Sequence, residues 1–166
     1  LIPTTTAAVT RNGDRISKNG VNNLIGQTEG SILVDIDLKK NDASSIITID
    51  NGTTGNFLTI FRNSSNRLQF ETRRDATSTI TLIVSNALSF SRHKILFNYK
   101  NGDYSFFIDG VKIGNSSNST NFPNAQFSSI YLSYPNAYGV INDSYRLVSL
   151  WKRQLTDTEA INLTTL

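Results

Sequence analysis

Five dipeptides, Asn12-Gly13, Asn19-Gly20, Asn51-Gly52, Asn101-Gly102 and Asp109-Gly110, divide the chain into short segments. Pairs of this kind suit the type I′ turn, whose two central residues need positive φ, so they predict tight hairpins. The segments between them are rich in Ile, Val, Phe, Tyr and Thr, and several alternate. In "SILVDIDL", Ile32, Val34, Ile36 and Leu38 share one face, while Leu33, Asp35 and Asp37 take the other. "SIITID" and "NFLTIFR" follow. In "RLQFETR", Leu68, Phe70 and Thr72 oppose Arg67, Gln69, Glu71 and Arg73. After "STITLIV", the run "HKILFNYKNGDYSFFIDGVKIG" divides into three strands, with Ile95, Phe97, Tyr99, Tyr104, Phe106 and Ile108 directed inward. "SSIYLSY" and "SYRLVSLWKR" complete a set of about eleven to thirteen strands. Alternation of this kind belongs to antiparallel sheets with one buried face. The spacing predicts an all-β fold, an antiparallel β-sandwich of jelly-roll type.

The chain closes differently. Thr156 is a natural N-cap, and Glu159 three residues later completes a T-x-x-E capping box. Ala160, Ile161, Leu163 and Thr164 then fit a helix of about two turns over 156–164.

At 166 residues the chain is expected to form a single domain with its own core. Residues 1–30 lead into the sandwich and contribute to it, and 31–166 form its body. "GNSSNSTNFPNAQ", 114–126, is expected to be a polar surface loop. No apolar run is long enough to insert in a membrane as a helix. "LIPTTTAAVTRNG" has neither the basic nor the apolar region of a signal peptide. The sequence holds no methionine, which suggests a fragment of a longer protein or a processed product. It also holds no cysteine, so disulfides and thiol chemistry are excluded. The net charge of +3 is small. Arg62, Arg67, Arg73 and Arg74 gather around one hairpin and are expected to lie on a solvated sheet face. No basic stripe or stacking motif accompanies them, which argues against nucleic acid as a partner. Six N-x-S/T triplets, at Asn51, Asn63, Asn115, Asn118, Asn142 and Asn162, are what chance supplies in a chain this rich in Asn, Ser and Thr.

Two stretches carry a resemblance. "HKILFNYKNGDYSFFIDGVKIGN" resembles the central hairpins of laminin-G-like, concanavalin-A-like domains, and "YRLVSLWKRQLTDTEAINL" resembles their ending. Together the likeness covers about residues 30–166. It implies that the last strand joins a sheet, that the capped helix covers part of the sandwich, and that Trp151 and Leu155 belong to that closure. A third stretch, "RNGDRISKNGVNNLIGQTEGSILVDI", is similar to a segment of structural proteins of phages and prophages infecting Bacteroidetes, where it opens a laminin-G-like domain of a virion protein. This superfold hosts lectins, hydrolases, lyases and protein-binding modules, so the site must decide function.

The carboxylates give little support to catalysis. Asp35 and Asp37 share a strand face about 6.5–7 Å apart along the backbone. The glycanases of the superfold carry an E-x-D-x-x-E pattern on one strand, and the glutamates it needs are absent here. A solvated face in which the two aspartates pair with Arg or Lys is the simpler expectation. His93, the single histidine, heads a strand between Arg92 and Lys94, and is expected at the surface. No G-x-S-x-G elbow accompanies it, and one histidine without cysteine does not make a zinc site.

Calcium is the one cofactor the loops suggest, because many laminin-G-like domains hold it on rim loops. Candidate oxygen ligands are Asp50 and Asn51 in "DNGTTGN" and Asp143 in "NDS". For sugar binding, exposed rings flanked by amides and carboxylates are needed. "YPNAYGVINDSY" supplies them: Tyr134, Asn136, Tyr138, Asn142 and Asp143 are the candidate ligand-binding residues. The hairpin 62–74, with its arginines, is the next candidate, particularly for an acidic polysaccharide.

The expectation is a non-catalytic carbohydrate- or receptor-binding module of a phage fibre or other virion protein. It would sit on the virion surface as part of a larger protein, as a homotrimer, and recognise host-surface glycan. One alternative is a structural, assembly or decoration module that binds protein partners. Another is a polysaccharide lyase or glycoside hydrolase. A secreted or cell-surface bacterial protein is the alternative setting.

Overall fold

The computed structural model of the chain describes residues 16–39, 43–75, 78–120, 122–124, 126–132 and 143–166. Among these, eleven strands precede one helix. In order they are β1 (Ile16–Asn19), β2 (Glu29–Asp37), β3 (Ser44–Asp50), β4 (Phe57–Arg62), β5 (Arg67–Arg74), β6 (Ser78–Ala87), β7 (Arg92–Lys100), β8 (Asp103–Ile108), β9 (Val111–Ser116), β10 (Ser129–Leu132), β11 (Ser144–Trp151) and α1 (Asp157–Thr164). They form two sheets, a six-stranded one in the order β1-β10-β3-β4-β5-β6 and a five-stranded one in the order β11-β2-β7-β8-β9. Each neighbouring pair is antiparallel. The fold is a β-sandwich jelly roll.

The inward faces follow from the alternation. Ile32, Val34, Ile36 and Leu38 meet Ile95, Phe97, Tyr99, Tyr104, Phe106 and Ile108, and across the sandwich they pack on Ile47, Ile49, Leu58, Ile60, Leu68 and Phe70. Phe70 of one sheet stacks on Phe97 of the other, tying the two layers at the centre. Gly20, Gly52, Gly102 and Gly110 all have positive φ, as the Asn-Gly and Asp-Gly turns require. Asp109 shares that conformation. The strand β9 runs through Ser116, so the expected loop 114–126 begins as sheet.

One irregularity shapes the six-stranded sheet. The register between β3 and β4 slips at Ile46, where Ser45 pairs with Phe61 and Ile47 with Ile60. The bulge sends Ile46 and Ile47 both into the core and returns Ser45 to the outward face beside Thr48.

The outer face of the five-stranded sheet is covered by α1. Leu33, Leu96 and Phe107 point away from the main core and pack under Leu155 and Ala160, with Trp151 and Leu163 against them. A buried polar link fixes the approach: Ser31 Oγ donates to Asn98 Oδ1 at 2.6 Å, and Asn98 Nδ2 donates to the Leu155 carbonyl at 2.8 Å. The Leu155 amide in turn donates to Ser31 Oγ at 2.9 Å. The capping box is present in both directions, with Glu159 N donating to Thr156 Oγ1 and Thr156 N to Glu159 Oε2. A strand that turns into a capped helix thus serves as a lid on one sheet.

The expectation of a solvated arginine face needs correction at Arg62. Arg62, at the end of β4, is wholly buried and bridges Asp143 at 2.9 Å. The end of the sandwich closes around this pair, where Lys39 N also donates to Asp143 Oδ1 at 2.7 Å. Among the described residues no helix is long and apolar enough to cross a membrane.

Candidate functional site

The second outward face, on the six-stranded sheet, is chemically unlike the first. Its cross-strand rows read Asp50–Phe57–Arg73, Tyr131–Thr48–Thr59–Glu71 and Ser45–Phe61–Gln69. These residues alternate with the core rows Ile49–Leu58–Thr72 and Ile47–Ile60–Phe70, and so point away from the sandwich interior. The face combines two phenylalanines and a tyrosine with hydroxyls, an amide, carboxylates and a guanidinium.

Its floor is tightly organised. The hydroxyls of Ser45, Thr48 and Thr59 form a triangle with sides of 2.7, 2.7 and 2.8 Å. Thr59 Oγ1 also donates to the Ile47 carbonyl at 3.0 Å. Asn63 Nδ2 donates to Gln69 Oε1 at 2.8 Å, which sets the orientation of that amide. The Arg73 guanidinium lies over the Phe57 ring, 5.9 Å from its centroid. Thr48, Thr59 and Glu71 are buried, whereas Tyr131, Gln69 and Arg73 are half-buried along the same face. Ser45, Phe57 and Phe61 on the same face are buried as well.

The residues expected to bind ligand fall in three places. Tyr134, Asn136, Tyr138 and Asn142 lie outside the described residues. Asp143 is held in the buried bridge to Arg62. Asp50 and Asn51 lie at the far end of β3, in the turn to β4. Asp50 is the last residue of β3, and Arg62, the partner of Asp143, pairs with its first residue, Ser44. The seven residues of β3 hold Asp50 and Asp143 about 20 Å apart. The candidate calcium ligands are therefore not brought together. Among the described residues, no three His, Cys, Asp or Glu side chains form a cluster that could hold a metal ion. Burial pushes the Asp50 carboxyl up, against the hydrogen bonds from Gly52 and Ser129.

Asp35 and Asp37 are each occupied by an arginine. Arg92 Nε and Nη2 grip Asp35 at 2.9 and 2.7 Å, and Arg146 Nε reaches Asp37 Oδ2 at 2.9 Å. The hydrogen bonds from Arg92 hold the Asp35 carboxyl below its usual range in spite of burial. A general acid needs the opposite shift.

His93 is buried, at 5% exposure, which corrects the expectation of a surface residue. Its Nδ1 lies 2.6 Å from Asp109 Oδ2, and Ser91 Oγ is 3.3 Å from Nε2. The grouping resembles a Ser-His-Asp arrangement. Nε2 also lies 3.1 Å from the Ser89 carbonyl. The contacts tie the start of β7 to the β8–β9 turn.

The outward face of the six-stranded sheet was only partly legible in the sequence. Gln69, Glu71 and Arg73 stand out in "RLQFETR". Thr48 and Ser45 do not, because the bulge at Ile46 breaks the alternation.

No protein-family model and no curated protein sequence matches the chain. Solved structures do match. The carbohydrate-binding module CBM40 of the Ruminococcus gnavus intramolecular trans-sialidase, solved with α2,3-sialyllactose, is 16% identical with a TM-score of 0.67. The match covers 94% of this chain and 97% of that one. The fold is that of a lectin-like β-sandwich. Domain 4 of the Geobacillus stearothermophilus arabinanase AbnA, solved with arabinotriose, is 11% identical with a TM-score of 0.62, covering 86% of this chain and 69% of that one. The receptor-binding domain of a botulinum neurotoxin mosaic serotype C/D is 12% identical with a TM-score of 0.70, covering 90% of this chain and 39% of that one. At these identities the likeness is one of fold.

Proposed function

We propose that the chain is a non-catalytic carbohydrate-binding module whose ligand face is the outward surface of the six-stranded sheet. The observation that carries this reading is the chemical contrast between the two outer faces. One is sealed by α1 with an apolar cluster. The other presents half-buried Tyr131, Gln69 and Arg73 above a hydrogen-bonded polar floor. Ring faces stack on the C–H faces of sugars, and fixed amides and guanidinium groups meet hydroxyls and carboxylates. Support comes from the match along nearly its whole length to a module solved with a sialylated glycan, and from a further match solved with an arabinan fragment. The arginine pairing of Asp35 and Asp37 argues against hydrolysis.

The finer reading is a receptor-binding module of a virion fibre that recognises host-surface glycan. It rests on the likeness of residues 11–36 to openings of such domains. Calcium, if it takes part, would have to be held by Asp50 and Asn51 separately from Asp143. The stretch with Tyr134, Asn136, Tyr138 and Asn142 is proposed as a further contact of the same ligand.

Titration calorimetry and NMR against sialyllactose, arabinotriose and acidic polysaccharides test this reading. A single domain is expected to bind at about the millimolar level, with avidity from repeated copies. Arg73→Gln and Gln69→Ala should abolish binding while the melting temperature stays within a few degrees. Unchanged affinity in both variants would place the ligand elsewhere. A protein-binding assembly role is the second reading, favoured by β1, an edge strand exposed at all four residues. Absence of glycan binding together with oligomers in light scattering would select it.

A further inference from the structure

The turn after β3 brings together the parts of a small reaction centre. Asn51 precedes Gly52, a residue without a side chain to shield its backbone nitrogen. Asn51 Oδ1 accepts from the backbone N–H of Thr53 at 3.1 Å and from Thr53 Oγ1 at 2.7 Å. A carboxamide bonded two residues ahead spans the intervening peptide, to which the Gly52 nitrogen belongs. That nitrogen in turn donates its hydrogen to Asp50 Oδ1 at 2.8 Å. A nucleophile, a base on its proton and two donors on the carbonyl oxygen are thus set around one amide.

We propose that Asn51 is a site of self-catalysed deamidation, with Asp50 as general base and the two Thr53 donors as an oxyanion hole. Asp50 takes the Gly52 N–H proton as that nitrogen forms a bond to Asn51 Cγ. The developing oxyanion on Oδ1 is met by the Thr53 amide and hydroxyl. The C–N bond to the side-chain amide then breaks, and the nitrogen leaves as ammonia with the proton that Asp50 accepted. Water opens the resulting succinimide to aspartate or isoaspartate. The net change is one water consumed and one ammonia released, with no oxidation or reduction. Asp50 is 2% exposed, and burial raises its proton affinity, which makes it a better base than a solvated aspartate.

The other described Asn-Gly pairs serve as internal controls. Gly102 faces the Tyr104 hydroxyl, which is no base at neutral pH. Asn19 closes β1 in register with Ser129. Neither has a carboxylate shown on its glycine nitrogen. Asn51 should therefore react faster than Asn19 and Asn101. It should also react faster in the folded protein than in a free peptide of the same sequence, whereas folding ordinarily slows such chemistry by restricting the backbone.

The test is peptide mapping by mass spectrometry on intact protein aged at neutral pH, with isoaspartate located by methyltransferase labelling. Asp50→Asn should slow conversion of Asn51 roughly ten- to a hundredfold, at the low end of what a positioned base contributes because the turn is open to water. If that variant fails to fold, the exposed Thr53→Val tests the oxyanion contacts instead and should also slow the reaction. Conversion of Asn51 no faster than that of Asn101, or slower in the folded protein than in the peptide, overturns the proposal.

Discussion

Arg62 and Asp143 meet at 2.9 Å with neither side chain exposed to solvent. The pair joins the end of β4 to the residue that precedes β11, so it ties the two layers at that end of the sandwich. Each charge is out of water and depends on the other.

Breaking the pair from one side should therefore be costly. Arg62→Met or Asp143→Asn is expected to lower stability by about 3–5 kcal/mol, read from denaturant midpoints. The double variant Arg62→Met/Asp143→Leu should lose less than either single change, because no lone charge is left buried. A double variant worse than both singles would show that other contacts of Arg62 dominate.

Stability should fall in acid through Glu159. Arg153 grips this carboxylate at 2.6 and 2.9 Å, and the Thr156 amide adds a third bond, holding its pKa at about 2. The folded-state value lies below the ordinary 4.5, so the contribution is complete above about 4.5 and is lost as pH falls toward about 2. Melting curves of Glu159→Gln should approach wild type across that window and lie below it near neutrality. Thr156→Ala should cost about 0.5–2 kcal/mol by removing the cap.

Much of the fold was legible because its signals are local. Ile32 to Leu38 and Ile95 to Ile108 show their inward face by alternation, and Thr156 with Glu159 announces the helix within four residues. The features that eluded the sequence depend on distant partners. Arg62 ends a strand, where arginines are usually solvated, and its encounter with the distant Asp143 is what the local sequence does not announce. His93 meets Asp109 through the β7–β8 hairpin register. The bulge at Ile46 leaves no mark in composition, yet it decides that Ser45 joins Thr48 and Thr59 on the proposed ligand face. Trp151 and Leu155 are under α1, as the resemblance implied.

Gly30 should tolerate no side chain. A Cβ there would strike the Tyr99 hydroxyl and come within 2.7 Å of the Trp151 carbonyl. Tyr99 is itself fixed, donating to the Gly26 carbonyl at 2.9 Å. Gly30→Ala is expected to cost about 1–3 kcal/mol by overpacking. A variant as stable as wild type in chemical denaturation would mean that β2 can slide away from β7 at no cost.

Incubation with host polysaccharides should release neither reducing ends nor unsaturated products. Asp35→Asn/Asp37→Asn should leave glycan affinity unchanged, since both side chains lie on the opposite sheet from the proposed ligand face. Product release that disappears in the double variant would overturn the non-catalytic reading.

The position of β2 between β7 and β11 governs how the domain can assemble. The strands β3 to β6 and β7 to β9 each pair with a neighbour in sequence and can form as they emerge from the ribosome. β2 is made early but finds its first partner only in β7 and its second only in β11, so it waits while the rest of the chain is synthesised. Such distant pairing slows folding. A chain shortened before Ser144 would leave one edge of β2 open, a template for strand addition between molecules. Expression trials of truncated forms are therefore expected to yield aggregates where the chain through α1 yields soluble protein.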